Sequence, residues 1–227
     1  MIAPPEGTEL LDDLQADPRA IRLSLHNITR ANRWFGGQAA AAWGIARLLE
    51  GVQRGARLSL LDIGTGSGDL PHAVVRWATR RGLALRAVGL ERHPVAAGLA
   101  RRSGLPTILA CASQLPVRRH GVDVVLISQV AHHLSFEAAT GLFQAASHIA
   151  RRGVVVADLR RSVLALQAFR VGATMLRFDP VTIADGVTSV RRGYTEAELA
   201  TLLGRAGITA EVSRRPGFRL VASWRTD

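Results

Sequence analysis

Two carboxylates bracket three closely spaced glycines in Leu60-Leu61-Asp62-Ile63-Gly64-Thr65-Gly66-Ser67-Gly68-Asp69-Leu70. The apolar run before the glycines reads as a strand and the segment after them as a helix. Gly64, Gly66 and Gly68 let the backbone turn sharply and let a ligand approach where a Cβ would clash. The helix start beyond them presents unpaired N–H groups. A dinucleotide fingerprint reads G-x-G-x-x-G, because a pyrophosphate lies on the helix N-terminus. Here the spacing is G-x-G-x-G, and Asp62 and Asp69 would repel a pyrophosphate. They suit a ligand carrying an ammonium and a sulfonium, with Asp62 and Asp69 toward its amine and Thr65 in the loop between them.

S-adenosylmethionine carries both cations. Glu91, 23 residues beyond Gly68, ends a second strand, where a carboxylate can accept hydrogen bonds from both ribose hydroxyls. Arg92 adjoins it. After a third strand, Cys111-Ala112-Ser113-Gln114-Leu115-Pro116 offers Ser113 and Gln114 to the edge of an adenine and Leu115 to its face. An ordinary strand exit would read the same way, and Cys111 itself reads as packing.

The end of the fourth strand is where such a fold presents an acceptor, and there stand Ser128-Gln129-Val130-Ala131-His132-His133-Leu134. An imidazole is suited to take the proton of a phenol or enol near neutrality. His132 and His133 are therefore the candidate bases, although histidines so placed can also shape the pocket or touch the cofactor. Adjacent residues on a turn point differently, so one of the two is expected to face the acceptor. No (Asn/Asp/Ser)-Pro-Pro-(Tyr/Phe) block of the kind used on nucleic-acid amines is present, and Cys111 lies in the wrong segment for carbon-5 cytosine chemistry. Asp158 follows the fifth strand, but no Asp-Asn pair follows it, so no metal site of catechol type is expected.

Taken together, L-D-I-G-T-G-S-G, Glu91, A-S-Q-L-P and V-D-V-V-L-I-S-Q-V-A-H-H-L resemble successive motifs of class I S-adenosylmethionine-dependent methyltransferases, closest to the ubiquinone/menaquinone-biosynthesis branch and its small-molecule relatives. The resemblance covers about residues 25–160. It implies that Gly64, Gly66, Glu91, Ser113, Gln114 and the segment near Ser128-Gln129 line the cofactor pocket. It also likens Asn32-Arg33-Trp34 to an Asn-containing helix that closes over the cofactor, though Phe35-Gly36-Gly37 departs from that pattern. The C-terminal half, from D-L-R-R-S to P-G-F-R-L-V-A-S-W, is similar to bacterial methyltransferases associated with type III polyketide pathways, which implies O-methylation of a phenolic or pyrone-like hydroxyl.

The elements that would position these groups follow from periodicity. From Leu58, short apolar runs alternate with amphipathic stretches, the pattern of a parallel sheet covered by helices. Strands are expected at Leu58–Ile63, Leu85–Leu90, Thr107–Cys111, Val122–Ile127 and Val154–Ala157, with helices near 70–81, 94–103, 136–150 and 162–176. Thr195 and Glu198 form a capping box opening a helix over Glu196–Arg205, which Gly207 ends. Strands near 208–213 and 218–224 flank the turn signal Arg215-Pro216-Gly217. The expectation is a doubly wound, mostly parallel seven-stranded Rossmann-like α/β sheet with a C-terminal antiparallel hairpin. An N-terminal helical extension, residues 1–55 and broken at Gly36-Gly37, precedes the domain at 56–227. Residues 179–194 read as a long connection and, with the helix before them, as an acceptor lid over 160–195. Trp34, Arg160, Met175, Arg191 and Tyr194 are the candidate acceptor contacts, the two arginines as stabilisers of an oxyanion.

Composition narrows the classes further. Hydrophobic residues make up 48% and charged residues 21% of 227, the balance of a soluble globular domain. No apolar run has the roughly 18–20 residues needed to span a bilayer. The start lacks a basic and then apolar leader pattern, and a single cysteine fits a reducing cytoplasm. All 29 basic residues are Arg, giving a net charge of +11. The Arg doublets are spread along the chain rather than gathered with aromatics, as codon bias would leave them, so the charge does not by itself imply nucleic acid. The reading is a cytoplasmic S-adenosylmethionine-dependent enzyme that methylates an aromatic or enolic oxygen of a small molecule, leaving S-adenosylhomocysteine. C-methylation of a quinone precursor, an RNA substrate and a non-catalytic cofactor-binding role are the alternatives.

Overall fold

The computed structural model describes residues 9–226. After a single 3-10 turn at Leu10–Asp12, the helices α1 (Pro18–Trp34) and α2 (Gly37–Leu48) lead into β1 (Arg57–Ile63), α3 (Asp69–Arg80), β2 (Ala84–Glu91), α4 (Pro94–Arg102) and β3 (Thr107–Leu109). The second half runs β4 (Val122–Ser128), a 3-10 turn at Ala131–His133, α5 (Phe136–Ile149), β5 (Ala150–Leu159), α6 (Val163–Met175), α7 (Pro180–Arg192), α8 (Glu196–Arg205), β6 (Val212–Arg215) and β7 (Arg219–Arg225). The seven strands form one sheet in the order β3-β2-β1-β4-β5-β7-β6. β7 pairs antiparallel with β5 and β6, and the other neighbours are parallel. The expected seven-stranded, mostly parallel sheet with a closing hairpin is the one observed.

Strand alternation divides the core into two layers. Leu61, Ile63, Val125, Ile127, Val154 and Val156 face α5 and α8. Leu60, Val124, Leu126, Val155 and Val221 face α2 and α3, with Ala41 and Ile45 of α2 in the same cluster. Order reverses between β1 and β4, whose neighbours lie on opposite sides, so a crevice opens at their carboxyl ends.

Caps fix where the helices near that crevice begin. Asp17 accepts from the Arg19 amide ahead of Pro18, and the His93 side chain accepts from the Val95 amide ahead of Pro94. The Thr195–Glu198 capping box opens α8 at the expected residue. At Gly36, φ is +77° and a Cβ would meet the Pro216 carbonyl oxygen at 2.5 Å. The α1–α2 break thus rests directly on the β6–β7 turn.

Three expectations change. The stretch 179–194 is not an open connection, because α7 occupies Pro180–Arg192, with Asp179 accepting from the Thr182 amide and Pro180 in its first turn. β3 stops at Leu109 rather than Cys111, and the closing hairpin begins at Val212 rather than near 208. The first eight residues of the expected N-terminal extension lie outside the described residues. No helix among the described residues is long and apolar enough to cross a membrane.

Candidate active site

A cavity of about 450 Å³ opens over the carboxyl ends of β1, β2, β4 and β5. Its floor on one side is the glycine loop. Gly64 has φ +71°, and a Cβ there would meet Val130 Cγ2 at 2.3 Å, so the turn after β1 closes against the exit of β4 only without a side chain. Asp62 lies beneath the loop and is 1% exposed. Its Oδ2 accepts from Thr65 Oγ1 at 2.7 Å. Burial pushes its pKa up to about 7, against the opposing Thr65 hydrogen bond. Burial likewise raises Asp69, with Asn32 opposing.

Glu91 is aimed by the backbone. Its Oε2 accepts from the Gly66 amide at 2.8 Å and its Oε1 from the His93 amide at 2.9 Å. Each oxygen keeps a further lone pair for a ligand hydroxyl. Asn32 of α1, 2% exposed, donates to Asp69 Oδ2 at 3.2 Å. Its Oδ1 accepts from Gln129 Nε2 at 2.7 Å. Gln129 in turn accepts from Arg219 Nη1 at 2.9 Å, while Arg219 Nε donates to the Phe35 carbonyl at 3.1 Å. Burial lowers the Arg219 pKa to about 10, with the Asp158 charge opposing.

On the β4–β5 side, His132 Nδ1 lies 2.6 Å from Asp158 Oδ1, with both side chains at most 2% exposed. Asp158 Oδ1 also accepts from the Leu159 amide at 2.7 Å. Burial alone would raise the Asp158 pKa, but the charge and hydrogen bond of His132 outweigh it and the shift is downward. An ionised carboxylate only accepts, so His132 Nδ1 carries a proton, and in the neutral imidazole the lone pair lies on Nε2. That Nε2 is buried with no partner in a residue that lines the cavity. Tyr194 Oη donates to the Ala131 carbonyl at 2.7 Å and so pins the turn that carries both histidines.

His133 faces the N-terminal strap. Its Nδ1 stands 3.6 Å from Asp12 Oδ1 and 3.9 Å from Glu9 Oε1. Burial disfavours its charged form, but Asp12, Glu9 and Asp158 prevail and raise its pKa. The strap is held from several sides: Ser189 Oγ and Arg192 Nη1 donate to Glu9, Arg92 Nη2 donates to Asp12 at 2.9 Å, and the Leu10 amide donates to Asp185. Glu9, His132 and His133 bring one potential ligand atom each to within 4.8 Å of one another. Glu9 already accepts from Ser189 at one carboxylate oxygen and from Arg192 at the other.

Of the expected cofactor contacts, Gly64, Thr65, Gly66, Asp69, Glu91, Arg92, Ser113, Ser128 and Gln129 line the cavity. Asp62 and Gly68 lie outside its wall: Asp62 is beneath the loop, and Gly68 caps α3 with φ +87°. Gln114 is exposed, and Leu115 packs against the core on the α5 side. Of the acceptor contacts, Trp34 and Arg160 line the cavity. Met175 does not; at 78% exposed, it ends α6 on the outside. Arg191 is also off the wall, with its carbonyl facing Arg161, and Tyr194 acts behind it.

Three residues at the site escape a reading by sequence. Asp158 was legible only as a possible metal ligand, and Arg219 and Glu9 carry no local signal.

The fold is the Rossmann-like one found in solved methyltransferase structures. Residues 61–157 match the family model for a methyltransferase domain. No curated protein matches the chain by sequence. Among solved structures, a SAM-dependent methyltransferase from Aquifex aeolicus superposes at a TM-score of 0.63 with 14% identity, covering 94% of this chain and 100% of that one. The plantazolicin methyltransferase BpumL, solved in complex with SAH, reaches 0.68 at 14% identity over 96% and 94% of the two chains. The pyocyanin biosynthetic protein PhzM reaches 0.61 at 22% identity over 97% of this chain and 62% of that one. At these identities the likeness is one of fold.

Proposed function

We propose that the protein transfers a methyl group from S-adenosylmethionine to an oxygen of a small aromatic or enolic acceptor, with His132 as base and Asp158 as its orienting carboxylate. The observation that carries this reading is the buried 2.6 Å contact between His132 Nδ1 and Asp158, which leaves the imidazole's other nitrogen unpartnered in the cavity wall. A histidine held in one tautomer by a carboxylate is built to take a proton.

The cofactor half of the cavity suits the sulfonium nucleoside. Glu91 is set to accept ribose hydroxyls, Asp69 on the wall offers the ammonium a carboxylate, with Asp62 behind it beneath the loop, and Ser113 is offered to the adenine edge. When bound, S-adenosylmethionine supplies a methyl group on a cationic sulfur open to in-line displacement. His132 Nε2 takes the proton of the acceptor hydroxyl as that oxygen forms its bond to the methyl carbon. Asp158 stabilises the resulting imidazolium, and the proton later leaves to water. Helices α6 and α7, with the strap at Glu9–Asp12, cover the acceptor half and exclude water. The shared fold of the plantazolicin methyltransferase BpumL, solved in complex with SAH, supports methyl transfer from S-adenosylmethionine.

The test is incubation with methyl-labelled S-adenosylmethionine and a panel of phenols, enols, quinols and RNA, with products identified by mass and NMR. The reading expects O-methyl products from small acceptors and a loss of turnover in His132→Ala with cofactor affinity retained. Methylation at carbon or of RNA, or full activity in His132→Ala, contradicts it.

A further inference from the structure

Resting on the reading just given, the charge balance of the cavity specifies the acceptor further. Its carboxylates are matched. Glu9 receives Ser189 and Arg192, Asp12 receives Arg92, and Asp69 receives Asn32. Glu91 receives two backbone amides and Asp185 receives another. Of the three arginines on the wall, Arg92 pairs with Asp12 and Arg219 donates to Gln129 and the Phe35 carbonyl. The Arg160 guanidinium has neither an ion pair nor a hydrogen bond among the described residues, and its Nε is buried without an acceptor.

Its surroundings are apolar. The guanidinium carbon lies 5.3 Å from the centroid of Phe218. Phe35 and Phe169, also on the wall, meet edge to face at 6.0 Å. Arg160 is only partly buried, but its buried Nε donor has no acceptor, which is costly until an acceptor meets it. The backbone fixes its position: the Arg160 amide donates to the Phe218 carbonyl at 2.8 Å, and Arg160 bridges to Tyr194. Arg160 follows Asp158 by two residues, so the two side chains leave the strand end on one face, separated by roughly 7 Å. A guanidinium presents Nε and one Nη as a planar fork matched to a carboxylate.

We propose that the acceptor is a hydroxyarene or enol carrying a carboxylate, which Arg160 holds through Nε and Nη while His132 meets the hydroxyl at the far edge. Arg160 thereby selects anionic acceptors over neutral ones of the same shape.

The test uses hydroxyarenes of one and two rings, each as the carboxylate and as the primary carboxamide. Their affinities for the SAH-loaded protein are measured by calorimetry in wild type and in Arg160→Met, which keeps the apolar stem over Phe218. Melting temperatures establish that both proteins are folded. A charge-assisted bidentate pair predicts carboxylate affinities about 10- to 100-fold above those of the matching amides, with the preference falling to near one in Arg160→Met. Amides binding as well as carboxylates, a preference that survives Arg160→Met, or no binding by any carboxylate overturns the proposal. A loss of SAH affinity in Arg160→Met assigns the guanidinium to the cofactor and overturns it as well. Failure of the wild type to bind SAH would instead count against the methyltransfer reading itself.

Discussion

Asn32 and Gln129 meet at 2.7 Å, Gln129 Nε2 donating to Asn32 Oδ1, and this contact ties α1 to the exit of β4 across the cavity. Through Asn32 the link reaches Asp69 at the start of α3, and through Gln129 it reaches Arg219 on β7. Gln129 holds a left-handed backbone, φ 56°, a conformation costly enough to need such support. The rim of the cofactor half is therefore one hydrogen-bonded chain drawn from four elements.

Cutting that chain at its centre removes a partner from each of two partly buried groups, Asp69 and Gln129. Asn32→Ala should lower stability by about 1 kcal/mol, the net worth of a lost hydrogen bond. It should also weaken SAH binding by roughly tenfold, because Asp69 and Gln129 lose their alignment. Thermal denaturation and calorimetry read both effects.

Asp158→Asn keeps the shape beside His132 but removes the charge. An amide can turn its NH2 to His132 Nδ1 and favour the other tautomer, so the lone pair is lost from the cavity wall. Turnover should fall by about 10²- to 10⁴-fold, with SAH affinity unchanged. Single-turnover rates separate this from a loss of cofactor binding.

Asp62 makes stability fall as pH rises. Its pKa is pushed up to about 7 in the folded protein, against about 3.9 unfolded, so between those values the folded state holds more protons. The stability that Asp62 contributes relative to its amide should therefore decline from about pH 4 to pH 7 and level off above. The full change is about 4 kcal/mol. Denaturant melts of wild type and Asp62→Asn across this range isolate it, since their difference cancels the opposite trend from Asp158.

The strap should loosen at high pH. The charged form of His133 is favoured in the folded state by Asp12 and Glu9, and Asp12 is held ionised chiefly by His133. Because the histidine is raised, its contribution is full below about pH 6.5 and is lost as pH rises through its folded value. Because the aspartate is lowered, its contribution is lost only as pH falls below about 4. Amide exchange over residues 9–13, corrected for its intrinsic rate, should show more protection at pH 6 than at pH 9. His133→Ala should abolish the difference.

Much of this architecture is visible in the residues. The apolar runs and the glycine loop locate β1 to within one residue of its observed start, and the Thr195–Glu198 pair places α8 at its observed bounds. α7 was hidden although its start signals, Asp179 and Pro180, stand in the sequence. Val181, Thr182, Ile183, Gly186, Val187 and Thr188 are weak helix formers, and packing against α6 and α1 decides the matter. Sequence narrows the base to a pair of histidines, but separating them needs Asp158, which lies 26 residues from His132. The pairing of Ser128 with Ala157 sets the ends of β4 and β5 side by side, and only that register brings the carboxylate under the imidazole. Met175 misleads for a related reason, since several apolar side chains of α6, among them Val163, Leu164 and Val171, face outward.

Titration of SAH into the wild-type protein and into Glu91→Ala, with NAD as the competing nucleoside ligand, bears most directly on the cofactor assignment. The account predicts saturable binding of SAH to the wild type, a weakening of at least tenfold in Glu91→Ala, and no heat with NAD. Tight binding of the dinucleotide with none of SAH would contradict it.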